Sequence, residues 1–291
     1  MHSPAGRNDA AGPAGPDPRR AAPPGDTRVV LVADVGNTRI KLALVAEPGG
    51  PGRLPRVARR HDLPTQGFRT DPLDRWLDAA VAGPAVLLVA AVHETAAARL
   101  EAAVAGRSAT GPRPLRQRRI GRADLPVEVR VTEPDRVGID RLAAAAAAAV
   151  VKPADRPAIV VDCGTATTVD IVSVEGHFLG GAILPGPALL ARALAEGTSR
   201  LPAVAALDDA PPPAMPGRST QEAIAAGIGW GLRGAVARLV AEARAACAAE
   251  PCIVLTGGSA GVVRDALPGA VEVPDLVLAG VALAAERACA R

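Results

Sequence analysis

DVGNT at residues 34–38 and DCGTATTVD at residues 162–170 follow one plan. In each, a β-branched apolar run ends on an aspartate, a glycine stands two places further on, a polar turn follows, and a second apolar run leaves. Residues 29–33 lead into the first turn and residues 40–45 leave it; residues 158–161 and 167–174 do the same for the second. Runs of this kind around a Gly-containing turn predict β-hairpins. Laid Asp on Asp, the two predict an internal duplication. In chemical terms, Gly36 allows a tight turn with exposed N–H groups, Thr38 adds a hydroxyl, and Asp34 can position a hydrated divalent cation. Taken alone, the first turn also reads as an ordinary Asn-Gly hairpin. The second copy clusters three threonine hydroxyls and two carboxylates between apolar strands, which a purely structural turn does not need. Opposed turns from two lobes can hold a polyphosphate between them, which predicts an ATP-dependent small-molecule kinase.

Outward from these hairpins the chain mixes strands and helices, as an α/β protein does. Helical patterns fall at residues 73–81, 95–104, 139–151, 188–196, 220–249 and 276–289. Further strands are expected at 85–92, 127–131, 178–184 and 253–256, and Pro- and Arg-rich loops at 48–64, 107–133 and 202–216. Residues 1–27 are rich in Pro, Gly, Ala and Arg, lack the apolar region of a secretory signal, and read as a disordered tail. A punctuating segment at 153–157 divides the rest into an N-terminal lobe, 28–152, and a C-terminal lobe, 153–291.

The 291 residues suffice for two core-bearing lobes. With aromatics at 1%, their cores must be aliphatic, and alanine supplies much of the 49% apolar content. A formal charge of +3, scattered Arg residues and the absence of Tyr argue against nucleic-acid binding. The longest apolar run, residues 142–151, is far short of the roughly 20 residues that span a bilayer. Cys163, Cys247, Cys252 and Cys289 form no CxxC pair and read as reduced thiols of a cytoplasmic protein.

Three further motifs bear on the site. Val137-Gly138-Ile139-Asp140-Arg141 opens a helix, where Asp140 reads either as a dipole partner or as an acceptor paired with Arg141, whose planar fork suits a carboxylate or phosphate. GGAILPGP (residues 180–187) and TGGS (residues 256–259) read either as turns or as places where bare backbone meets a ligand. Gly229, Gly231 and Gly234 match GxGxxG but sit inside a helical pattern with no preceding strand, so no dinucleotide fold follows. Ser219 to Glu222 reads as a capping box, and Thr220 with it.

Taken in order, DVGNT, VGIDR, DCGTATTVD, GGAILPG and LTGG resemble the type III pantothenate kinases, in the superfamily of acetate and sugar kinases, heat-shock ATPases and actin. The resemblance covers the chain from about residue 29 to its end. It implies two ribonuclease-H-like lobes, each a mixed sheet with flanking helices, and γ-phosphoryl transfer from ATP to the primary hydroxyl of pantothenate, the first step of coenzyme A synthesis. It also implies that Asp34, Val35, Gly36, Asn37, Thr38, Arg39, Ile40 and Lys41 line the ATP phosphates, with Asp34 on Mg²⁺. Gly138, Ile139, Asp140 and Arg141 would hold pantothenate, Asp140 being the base. Asp162 would bind a monovalent cation such as K⁺ or NH₄⁺, Thr165 would contact ATP, and Thr220 would reach substrate from the partner subunit of a homodimer. Many relatives carry Tyr where this chain has Val131. A kinase of another small alcohol, or a non-catalytic accessory factor of the same fold, are the alternatives.

Overall fold

The computed structural model describes residues 29–110, 115–205, 207 and 213–289; the expected N-terminal tail and part of the 202–216 loop lie outside them. The first sheet contains β1 (Val29–Val35), β2 (Arg39–Glu47), β3 (Arg56–Pro64), β4 (Ala85–Ala91) and β5 (Leu115–Arg119). The second contains β6 (Ala158–Cys163), β7 (Ala166–Val172), β8 (Phe178–Pro185), β9 (Cys252–Thr256) and β10 (Val271–Glu272). The orders are β3-β2-β1-β4-β5 and β10-β9-β6-β7-β8. Read in the same sense these are one arrangement: an antiparallel meander of three strands, with two parallel strands added beside its first. The duplication suggested by the two Asp turns thus extends to whole sheets.

Helices α1 (Thr70–Ala80) and α2 (Glu94–Thr110) cover the outer face of the first sheet, where Leu31, Ala33 and Val35 meet Leu73, Leu77 and Leu100. α4 (Pro187–Gly197) and α5 (Thr220–Ala246) lie on the second sheet's side, with Leu232, Val236 and Val240 of α5 packed on Ile159 and Val161. By length and composition α5 could cross a membrane, but it packs along this sheet. Gly229, Gly231 and Gly234 fall inside it, as the helical pattern predicted.

Between the sheets lie α3 (Ile139–Val151) and α6 (Leu276–Cys289). α3 packs on β6 and β7, α6 on β1 and β4, and the two helices pack on each other within one shared core. Their approach is very close: a Cβ on Gly280 would stand 1.9 Å from the Ala143 carbonyl oxygen. This accounts for the alanine run, since residues 143–148 are all buried and any larger side chain would push the helices apart.

Sequence reasoning missed β3, β5 and the short β10 and expected a strand at 127–131. β3 (RVARRHDLP) and β5 (LRQRR) are edge strands whose charges read as loop, although charge is how exposed edges are kept from pairing further. Residues 127–131 make only an isolated bridge, Val129 to Phe178, at the edge of the second sheet.

Candidate active site

Side chains alternate across a strand, so the inward-facing series Val30, Val32, Asp34 on β1 and Ala158, Val160, Asp162 on β6 each finish on a carboxylate. Val32, Ala158 and Val160 belong to the core between the sheets, and both carboxylates therefore open into the inter-sheet cleft. Asp34 pairs across β1 and β2 with Lys41; Asp162 pairs across β6 and β7 with Thr168. The Lys41 ammonium lies 3.6 Å from Asp34 Oδ2. Burial raises the pKa of Asp34, and the pull of Lys41 offsets this only in part. Burial pushes Asp162 up to about 6, with Lys41 opposing and Asp34, Asp140 and Asp170 adding to the rise. Burial works against the Lys41 charge, yet Asp34 and Asp162 hold its pKa above the usual lysine value.

The two turns meet. Thr165 Oγ1 donates to Thr38 Oγ1 at 2.9 Å, so the two sheets touch through the hydroxyls that the sequence placed on opposed turns. In the first turn the Gly36 N–H donates to the Arg39 carbonyl at 3.0 Å, and the Thr65 hydroxyl donates to the Gly36 carbonyl at 2.8 Å. Asn37, Thr38 and Arg39 are exposed, whereas Val35 and Ile40 are fully buried in the outer core. Those two residues can offer a ligand backbone only.

The other glycine motifs buttress the second turn. A Cβ on Gly186 would stand 2.2 Å from the Gly164 carbonyl oxygen, and one on Gly257, at φ +101°, would stand 2.4 Å from that of Cys163. The close backbone approach these motifs suggested is thus made, at Gly186 and Gly257, to the chain itself. Gly258 remains open and borders the cleft with Lys41, Asp162 and Thr256. Cys163 is buried there, and burial pushes its thiol up to about 12, which leaves it unreactive.

Gly138 caps α3 and Asp140 lies in its first turn. The Arg141 N–H donates to Asp140 Oδ1 at 2.8 Å, and a Cβ on Gly138 would lie 2.4 Å from that oxygen, so glycine is what lets the carboxylate fold back over the helix start. Arg141 reaches β7, where its Nε donates to Asp170 Oδ2 at 3.1 Å and its Nη2 to Asp170 Oδ1. Ile139 packs against the shared core. Val131, the position at which the resemblance implied a departure, packs beside Gly180 on β8.

Thr220 is not brought to this cleft. It opens α5 beside an apolar groove of about 600 Å³ lined by Leu184, Leu190, Leu194, Ile224 and Ile228. Ser219 caps that helix by accepting from the Glu222 N–H at 3.2 Å, as the capping pattern predicted.

One cleft residue escaped sequence reasoning, and another was given no role of its own. Arg60 on β3 donates to Asp275 Oδ1 at 2.6 Å, across the mouth of the cleft, while also gripping Asp62. Nothing local in RVARRHDLP marks Arg60. Asp170 was visible only as the last residue of DCGTATTVD, and its inward parity with Thr168 was the signal available.

The site is rich in oxygen donors. Asp34, Asp140 and Asp162 act on one another electrostatically, with Lys41 the principal cation among them. Among the described residues, no three acidic, His or Cys side chains stand close enough to hold a metal ion unaided. A hard divalent ion fits such a set when it shares its coordination with phosphate oxygens and water.

A model of the family described as type III pantothenate kinase matches residues 30–242. The type III pantothenate kinase of Alkalilimnicola ehrlichii is 39% identical over 253 residues, covering 87% of this chain and 96% of its own. That of Halorhodospira halophila is 36% identical over 254 residues, covering 86% and 95%. Among solved structures, a Campylobacter jejuni protein named as a Baf family transcriptional activator aligns with a TM-score of 0.53 at 19% identity, over 90% of this chain and all of its own. A Sinorhizobium meliloti protein named as a 2-dehydro-3-deoxygalactonokinase aligns at 0.50 and 18%, over 89% and 96%. Those two likenesses are of fold. Matched by the family model over most of its length, and by relatives almost end to end, the chain belongs to the type III pantothenate kinase family.

Proposed function

We propose that the protein transfers the γ-phosphoryl group of ATP to the primary hydroxyl of pantothenate, giving 4′-phosphopantothenate, and that it does so in the cytoplasm. The observation that carries this reading is the meeting of the two turns, Thr38 on Thr165, above a lysine flanked by Asp34 and Asp162. Phosphoryl transfer needs positioning and charge neutralisation more than covalent chemistry, and these groups supply both.

In this reading the backbone of residues 34–41, with Lys41, Thr38 and Thr165, holds the phosphates. Asp34 carries Mg²⁺ and Asp162 a monovalent cation, K⁺ or NH₄⁺. The divalent ion, when bound, neutralises charge on the β- and γ-phosphates. Gly138, Ile139, Asp140 and Arg141 hold pantothenate. As the hydroxyl oxygen bonds to phosphorus and ADP leaves, Asp140 takes the hydroxyl proton; its Oδ1 is engaged by the Arg141 N–H, leaving Oδ2 to receive it. Residues 28–152 and 153–291 act as the two lobes. Lys41, Arg60, Asp162 and Asp275 border a small recess of about 80 Å³ beside these groups. A homodimer supplies Thr220 from the second subunit. The apolar groove beside Thr220 and the exposed Ile183 and Trp230 support such a contact.

The test is ADP release measured with and without pantothenate, in K⁺ and in Na⁺. We expect turnover to require pantothenate and to be faster in K⁺. ATP consumption indifferent to pantothenate overturns the reading.

A further inference from the structure

The buried Arg141–Asp170 pair carries an inference beyond the roles assigned above, and it rests on the reading of Arg141 as an acceptor contact. A guanidinium presents two edges that can each grip a carboxylate, Nε with Nη2 and Nη1 with Nη2. Here Asp170 takes the first edge with both of its oxygens. The Phe178 ring lies beneath the guanidinium, 5.3 Å from its central carbon to the ring centre. Asp170 and Phe178 are buried, and the Arg141 side chain keeps 16% of its exposure. Directly across the strand pair from Asp170 stands Gly181. A Cβ there would lie 2.5 Å from Asp170 Oδ1 and 2.0 Å from the Val169 carbonyl oxygen, so this glycine leaves the space the carboxylate occupies.

We propose that Asp170 is a positioning residue for acceptor recognition: it holds Arg141 by its inner edge, over the Phe178 ring, so that the outer Nη1–Nη2 edge is presented to the carboxylate of the acceptor. Arg141 is then a fixed fork with one edge committed, not a mobile cation. Asp170 touches no substrate; it sets the angle at which Arg141 does. Gly181 and Phe178 complete the mounting, one by leaving room and the other by supplying a flat face.

The readout that separates positioning from general support is discrimination between pantothenate and its analogue with an alcohol in place of the carboxylate. For each variant, kcat/KM is measured for both acceptors, with KM for ATP beside it. Wild type should favour pantothenate strongly. Asp170→Asn should lose at least about tenfold of that preference while KM for ATP changes less than about twofold, since the charged hydrogen bonds that hold Arg141 are weakened. Breaking a buried ion pair can also unfold a protein, so the pair Arg141→Gln and Arg141→Gln/Asp170→Asn is measured as well. If Asp170 acts through Arg141, these two share one low preference. An Asp170→Asn enzyme that keeps wild-type preference overturns the proposal alone, as does a double variant less selective than Arg141→Gln. A wild-type enzyme that turns over both acceptors equally removes the reading of Arg141, and this proposal with it.

Discussion

Asp34 stands across its strand pair from Lys41, whereas Asp162, at the matching place in the second sheet, stands across from Thr168. The strand order around them is the same, and so is the inward parity that aims both carboxylates at the cleft. The difference is one cross-strand partner. Asp34 has its counter-charge 3.6 Å away in its own hairpin, and Asp162 shares the same lysine from the other lobe; burial raises both carboxyls, Asp162 to about 6. A duplicated scaffold has thus given two carboxylates of unequal charge balance. The second is the one to which the proposed reading gives a monovalent cation.

The comparison can be broken most severely at the group both hairpins surround. Asp140→Asn should keep the fold and lower kcat by about 10²- to 10⁴-fold, the usual worth of a general base; steady-state rates with a matched melting curve check this, and near-normal turnover removes Asp140 from the chemistry. Next, Lys41→Met removes from the first hairpin the cation that faces Asp34. It leaves Asp34 buried without a partner, which costs about 3–5 kcal/mol when a buried pair is broken. Urea unfolding should show a loss of that order, together with a large fall in ATP affinity.

The pH dependence sharpens the contrast. The folded-state pKa of Asp162 lies above the ordinary aspartate value, at about 6, so the folded protein binds this proton more tightly than the unfolded chain does. From this group alone, stability falls as pH rises through that window and the penalty is constant above it, at most about 3 kcal/mol. Without small monovalent cations, Asp162→Asn should therefore raise Tm near pH 8 and change it little near pH 4. K⁺ should raise the wild-type Tm near pH 8 and leave that of the variant unmoved. The smallest effect is expected at the contact between the turns. Thr165→Val removes one hydroxyl bond, about 0.5–1.5 kcal/mol, and should appear mainly as a higher KM for ATP.

The hairpins, the duplication and the carboxylates at their strand ends were legible because period-two alternation and Asp-x-Gly turns are local signals. The edge strands β3 and β5 were not, because their sequences answer to solvent and to the need to stay unpaired. The alanine run of α3 was visible, but its reason lies in Gly280, more than a hundred residues away. The roles of Arg60 and Asp170 likewise depend on partners from distant elements, Asp275 and Arg141. Gly186 and Gly257 looked like ligand-facing backbone; their conformational freedom serves the second turn, and local sequence does not distinguish the two uses.

The seating of α3 and α6 has a consequence for synthesis. α6 is the last described element, yet it covers the inner face of β1 and β4, strands among the first to leave the ribosome. Until α6 has been made, the inner face that bears Asp34 has no lid of its own, and α3 has no Gly280 to nestle against. A nascent chain can therefore pair its first five strands early but cannot cover the inner face of its first sheet until α6 has been translated. Chains that stop short of α6 would leave that apolar face uncovered.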